Sequence, residues 1–209
     1  AMDFKDKFIT ESFYQPPSKI LQKINEVVIK QQQNFAKTWK KIQVEMADQQ
    51  VFIKTAKNLT AAQKKFVTAY FDEVVESNVI PILLHDNSPM PYLRDKSLYL
   101  GVAMRKKEFQ YESKFAIIEI PSRILGRFVL LPSTDKNEKN VMLLEDVIIF
   151  NLPHIFSYFG YEDYEAHCFK VTKDAEFDLD NDIKTTLAEK IEKGIKSRRK
   201  GKPTRFVFD

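Results

Sequence analysis

Phe169-Lys170-Val171-Thr172-Lys173-Asp174-Ala175-Glu176-Phe177-Asp178 begins as one kind of structure and ends as another. Phe169, Val171 and Lys173 fall on one side of an extended chain and Cys168, Lys170 and Thr172 on the other, which is the period of a strand. The stretch then turns acidic, with Asp174, Glu176, Asp178, Asp180 and Asp182 leading into a helix expected from about Asp182 to Arg199. Carboxylates placed there meet the unpaired amides and the positive dipole end of a helix. Ile183, Leu187, Ile191 and Ile195 give that helix its apolar side; Lys196, Arg198, Arg199 and Lys200 suit its C-terminus, and Gly201 closes it. Thr204 to Phe208 is the last short strand.

Upstream the pattern is first helical and then period two. Pro16-Pro17 stops what precedes, and Ser18 reads as a cap. Leu21, Val28, Phe35 and Ile42 then recur every seventh residue, joined by Ile20, Ile24, Val27, Trp39 and Met46. The stripe implies a helix of roughly thirty residues, ~45 Å long, that needs a partner. Val51-Phe52-Ile53 is a connector, and Thr60-Ala61-Ala62-Gln63 is a capping box. Phe66, Val67, Tyr70, Phe71, Val74 and Val75 carry a second helix to Asn78, folding back as a hairpin. Candidate strands are Val79 to Leu84, Leu98 to Met104, Phe115 to Ile120, Arg127 to Leu131 and His167 to Val171, separated by turn-rich stretches. Ser133 to Asn140 reads as a charged loop, Leu143 to Phe150 as a helix broken at Pro153, and Gly160 to Glu165 as a surface turn. The class is α+β: a long helical hairpin followed by a mixed or antiparallel sheet with two further helices.

The 209 residues, 44% hydrophobic, are enough for one large domain or two small ones with a sizeable core. A net charge of +4 from 33 basic and 29 acidic residues is too mild to argue a nucleic-acid binder by itself. The single cysteine, Cys168, excludes an internal disulfide and suits a reducing cytoplasm, the compartment expected. No apolar run approaches the ~20 residues of a membrane helix, and the start has no signal-peptide pattern. Alanine ahead of Met2 reads as a cloning remnant, so the chain is expected to be a piece of a longer protein. Residues 1–16 are read as that edge plus an inter-domain linker, and 17–209 as one domain.

Chemistry-bearing constellations are few. Asp178, Asp180, Asp182 and Glu189 have the spacing of a calcium loop, but Ile183 stands where the sharp turn needs glycine, so helix-entry carboxylates are the better reading. His167 and Cys168 are neighbours on a strand and face opposite ways, so they cannot pair as base and nucleophile; Cys168 is read as a buried structural thiol. His85 and His154 have no partner at ligand spacing, and no Gly-rich phosphate cradle is present. Basic residues remain: Arg105-Lys106-Lys107 in a hairpin-like turn, Arg123 and Arg127 flanking a strand, and the run from Lys196 to Arg205. Each is explained on its own as a solvated face.

Taken together the motifs resemble a family. The opening stretch is similar to the F-R-x-T-R-D-A-(D/E) signature of the middle, or head, domain of long-chain polyphosphate kinases. Lys170 and Lys173 stand where that signature often has arginine, keeping the charge but losing the planar fork that grips phosphate. Asn78-Val79-Ile80-Pro81-Ile82-Leu83 and Pro89-Met90-Pro91-Tyr92-Leu93 resemble two further family motifs. So do Ile117-Ile118-Glu119-Ile120-Pro121 with Arg127-Phe128-Val129-Leu130-Leu131-Pro132, and Arg198-Arg199-Lys200-Gly201-Lys202-Pro203-Thr204-Arg205-Phe206-Val207.

The resemblance implies the non-catalytic middle domain of an enzyme that reversibly moves the terminal phosphoryl of ATP to polyphosphate. That transfer runs through a phosphohistidine and uses magnesium. None of His85, His154 and His167 matches the family's catalytic motif, so no catalytic, cofactor-binding or metal residue is expected here, and ATP and Mg belong to the intact enzyme. Implied partners are the other domains of the same polypeptide, a second copy in a homodimer, and polyphosphate; neither DNA nor a membrane is expected. The hairpin Ser18 to Asn78 and exposed aromatics would serve that packing. Arg127, Lys170, Lys173, Arg198, Arg199, Lys202 and Arg205 are the candidates for polyanion contact. The alternative is a stand-alone module that binds polyanion or nucleic acid, or that only dimerises.

Overall fold

The computed structural model describes residues 16–85, 89–106, 109–173 and 203–208. The chain divides into two units, Ala1–Phe52 and Ile53–Asp209. In the first, helix α1 spans Pro17–Asp48, 32 residues. Its cap is Pro16, and Pro17 takes the first helical position, where a missing N–H costs nothing and the ring pre-sets the backbone. Ser18, expected as the cap, lies inside the helix. The sevenfold stripe is present but uncovered: α1 buries no residue, and Leu21, Ile24, Val27, Phe35 and Ile42 are all exposed, Phe35 to 75%.

The second unit holds the α+β core. Strand β1 (Val51–Lys54) contains the division between the units. Helix α2 (Ala61–Tyr70) opens on the expected capping box: Gln63 N–H donates to the Thr60 hydroxyl at 3.3 Å, and Thr60 N–H donates to Gln63 Oε1 at 3.1 Å. Gln63 is buried and also donates to Pro132 O at 3.1 Å, tying the helix start to the end of a later strand. After Tyr70 the helix widens into a π-helical turn, Phe71–Val75, and tightens into a 3₁₀ turn, Glu76–Asn78.

Strands β2 (Pro81–Leu84), β3 (Leu98–Lys106), β4 (Phe109–Glu119), β5 (Phe128–Leu131), β6 (Lys139–Leu143), β7 (Asp163–Lys173) and β8 (Pro203–Phe208) follow in order. A four-residue helix α3 (Ser122–Leu125) precedes β5, and helices α4 (Leu144–Phe150) and α5 (Leu152–Ile155) lie between β6 and β7. The strands form two sheets, one of order β1-β6-β5 and one of order β2-β4-β3-β7-β8 whose neighbours all run antiparallel. Pleating splits the larger sheet into two faces. Leu100, Val102 and Met104 of β3, with Ala116 and Ile118 of β4, join Val67, Phe71, Val75, Val147, Ile148, Leu152 and Phe156 in the main core. The opposite face carries a smaller cluster of Leu93, Tyr99, Ile117 and Val171.

Several expectations change. Residues 139–143, the end of the expected charged loop and the start of the expected helix, form strand β6. The expected acidic turn is already strand β7 from Asp163 onward, and β4 begins at Phe109 instead of Phe115. Cys168 is half-buried against the main core, not fully enclosed. The expected linker before Pro16 and the helix from Asp182 to Arg199 lie outside the described residues.

Candidate functional site

On the face of the five-stranded sheet that carries the smaller cluster, residues 89–97 form the loop that leads into β3. Leu93 anchors that loop by burying itself beside Tyr99, Ile117 and Val171. The backbone around it is fixed by three bonds from different elements. Arg94 N–H donates to the Tyr99 hydroxyl at 2.6 Å, Lys96 N–H donates to Val171 O at 3.0 Å, and Lys173 N–H donates to the Asp95 carboxylate at 2.9 Å. Tyr99 is held by stacking on Phe169, ring centroids 5.5 Å apart, and burial pushes its hydroxyl pKa up, so it stays a neutral hydrogen-bonding group. Lys96 sits at φ 61°, in the left-handed region a β-carbon disfavours.

This packing collects positive charge that is scattered in the sequence. Arg123 of α3 reaches across to donate to Asp95 O at 3.4 Å, and the Lys173 ammonium lies 3.9 Å from the centre of the Tyr92 ring. Arg94 is an exposed side chain 3.7 Å from Glu119, a contact worth little in water. Arg94 and Lys96 thus belong to one loop that Arg123 and Lys173 contact, with the carboxylates of Asp95 and Glu119 among them. Lys173 is among the residues expected to contact an anion, and Arg123 is expected only as a strand flank. Arg94 and Lys96 give no signal in the sequence, because single charges in a turn have no period. The Lys173 ammonium over the Tyr92 ring and the exposed Arg94 guanidinium are groups suited to phosphate oxygens.

The other foreseen residues separate. Lys170 is exposed on β7, opposite Leu98 on one side and Val207 on the other. Arg205 stands opposite Thr172 in the β7–β8 register. Arg198, Arg199 and Lys202 lie outside the described residues. Arg127 is committed elsewhere: its Nε donates to Glu145 Oε1 at 3.0 Å and to Oε2 at 3.3 Å, while a terminal nitrogen also bonds Oε1. Glu145 is buried, and that hydrogen bonding raises the Arg127 pKa against the opposing effect of burial. Arg105 is likewise occupied, pairing with Glu165 at 3.0 Å and Asp163 at 3.4 Å and donating to the Ser113 hydroxyl at 3.1 Å. The Glu165 pKa is lowered first by Arg105 and then by His167.

Among the described residues, Asp72, Glu76 and His154 are a grouping of metal-ligating side chains, one donor atom from each lying within 4.8 Å of the others. One imidazole and two carboxylates do not make the nearly all-oxygen octahedral shell that magnesium prefers. No described helix is long and apolar enough to cross a membrane.

Comparison with known proteins places these features in a family context. Residues 62–209 match the sequence model of the polyphosphate kinase middle domain. The polyphosphate kinase of Vibrio parahaemolyticus is 32% identical over 194 residues, covering 91% of this chain and 27% of that protein. That of Escherichia coli K12 is 31% identical over 192 residues, covering 90% of this chain and 28% of that protein. The crystal structure of polyphosphate kinase from Porphyromonas gingivalis superposes with a TM-score of 0.72 at 27% identity, covering 91% of this chain and 26% of that one. The chain therefore spans about a quarter of the length of the relatives it matches.

Proposed function

The chain belongs to the polyphosphate kinase middle-domain family, and on that premise we propose that it is a non-catalytic part of an ATP:polyphosphate phosphotransferase. In this reading the reactive histidine, ATP and Mg²⁺ reside in the rest of the enzyme, and the middle domain assembles it and helps to hold the polymer. The family match across residues 62–209 is the observation that carries the proposal. Two features support the finer roles. Among the described residues α1 buries none of its apolar side, which suits a helix that packs on another domain or on a second copy. The loop gathering Arg94, Lys96, Arg123 and Lys173 suits a polymer with roughly one negative charge per phosphate, because such a surface both steers and holds it.

The test uses the full-length enzyme. Charge reversal at Arg94, Lys96 and Lys173 together is expected to raise the KM for polyphosphate at least tenfold, flatten its salt dependence, and leave the KM for ATP near wild type. Unchanged polyphosphate KM and salt slope would remove the guidance role. Full ATP-dependent synthesis by an enzyme lacking residues 17–209 would remove the assembly and polymer-holding roles.

A further inference from the structure

At the end of α2 the chain presents two carboxylates to a histidine from a distant segment. Asp72 in the π-helical turn and Glu76 at the start of the 3₁₀ turn are four residues apart, and both reach the same imidazole. His154 of α5 points its Nε2 at them, 3.5 Å from Glu76 Oε1 and 4.0 Å from Asp72 Oδ1. Two ligands about 2.1 Å from a tetrahedral ion stand about 3.4 Å apart, so small rotamer changes bring these three atoms to coordination distance.

The supports on both sides are rigid. Phe71 and Val75, flanking Asp72 and preceding Glu76, are fully buried, as is Phe156, and Leu152 is nearly so. The Phe71 ring meets the His154 ring edge-on, centroids 6.0 Å apart at 77°, which limits how the imidazole can turn. Asn151 fixes the start of α5 by donating from its buried side chain to Val147 O at 2.8 Å and accepting the His154 N–H at 3.0 Å. The carboxylates themselves repel at this spacing, and a cation between them relieves that.

We propose that Asp72, Glu76 and His154 form a surface site for one divalent transition-metal ion of the zinc class, with the remaining positions open to water. The donor set decides the class: a nitrogen and two carboxylate oxygens favour Zn²⁺, Co²⁺ or Ni²⁺ over Mg²⁺. All three side chains are about half exposed, between 47% and 57%, so the ion keeps solvent ligands.

Calorimetric titration of the 209-residue chain with ZnCl₂ under excess MgCl₂ tests the site. One saturable equivalent is expected, with Co²⁺ in its place giving visible bands of low-symmetry coordination. H154Q and D72N/E76Q are each expected to weaken binding by more than about tenfold, since loss of even a supporting partner costs that much. H85Q is expected to bind as wild type does. The circular dichroism of the variants should match wild type. No saturable binding, unchanged affinity in D72N/E76Q, or displacement of Zn²⁺ by Mg²⁺ would each overturn the proposal.

Discussion

Arg127→Met asks whether the arginine serves the fold or an anion. In the folded chain its guanidinium grips Glu145 through two nitrogens, and Glu145 is only 5% exposed. Removing the arginine leaves a carboxylate in the protein interior without its counter-charge. Breaking a fully buried pair in this way costs about 3–5 kcal/mol. The Arg127 side chain is 43% exposed, so water shares in solvating the pair, and about 2–3 kcal/mol is the discounted expectation. At about 2–4 °C per kcal/mol for a chain of this size, Tm falls by about 4–12 °C. Glu145→Gln keeps most of the shape and an acceptor and should cost less, while Arg127→Met with Glu145→Leu should recover part of the loss. Urea unfolding and a thermal scan read the stability, and filter binding of polyphosphate over a salt series reads the affinity. The expected result is a large stability loss, with polyphosphate affinity unchanged under conditions where the variant is folded. Stability within about 0.5 kcal/mol of wild type, together with lost polyphosphate affinity, would refute the reasoning.

Gln63→Ala strips partners from both Thr60 N–H and Pro132 O and is expected to cost about 2–3 kcal/mol in urea unfolding. Thr60→Ala removes only the cap and should cost about 1 kcal/mol; equal effects would contradict the link between α2 and the end of β5. Glu165, held below the ordinary carboxylate value by Arg105, is expected to titrate below an unperturbed glutamate in a carboxyl NMR experiment. Its contribution to stability is then complete above that value and fades as pH falls through the lower folded midpoint. Arg105→Ala should move the midpoint back up, and a wild-type midpoint no lower than that of an unperturbed glutamate would count against the pairing.

The parts legible in the sequence are those set by local chemistry. The α1 stripe, the Thr60–Gln63 capping box and the helix from Leu144 to Phe150 announce themselves by period or by hydrogen-bonding side chains close in sequence. Strand β6 was hidden because a polar residue, Asn140, occupies one of its two buried positions, beside Met142. The start of β7 was hidden because Asp163 and Glu165 look like a turn until Arg105 of the neighbouring strand is seen beside them. The candidate sites were less legible still. Arg127 carries the right charge for an anion contact, but its burial partner Glu145 comes from another element. Arg94, Lys96, Arg123 and Lys173 meet only through long-range packing, as do Asp72, Glu76 and His154. Charges in loops have no period to betray them.

Helix α1 has a thermodynamic consequence of its own. With no residue buried, its 32-residue rod gains little from burial and leans on intrinsic propensity. Whatever settles against Leu21, Phe35 and Ile42 must therefore also complete the ordering of the backbone beneath them. Residues on the opposite side of the helix, such as Lys30, Gln33 and Lys37, then tune association strength simply by how readily they accept helical dihedrals.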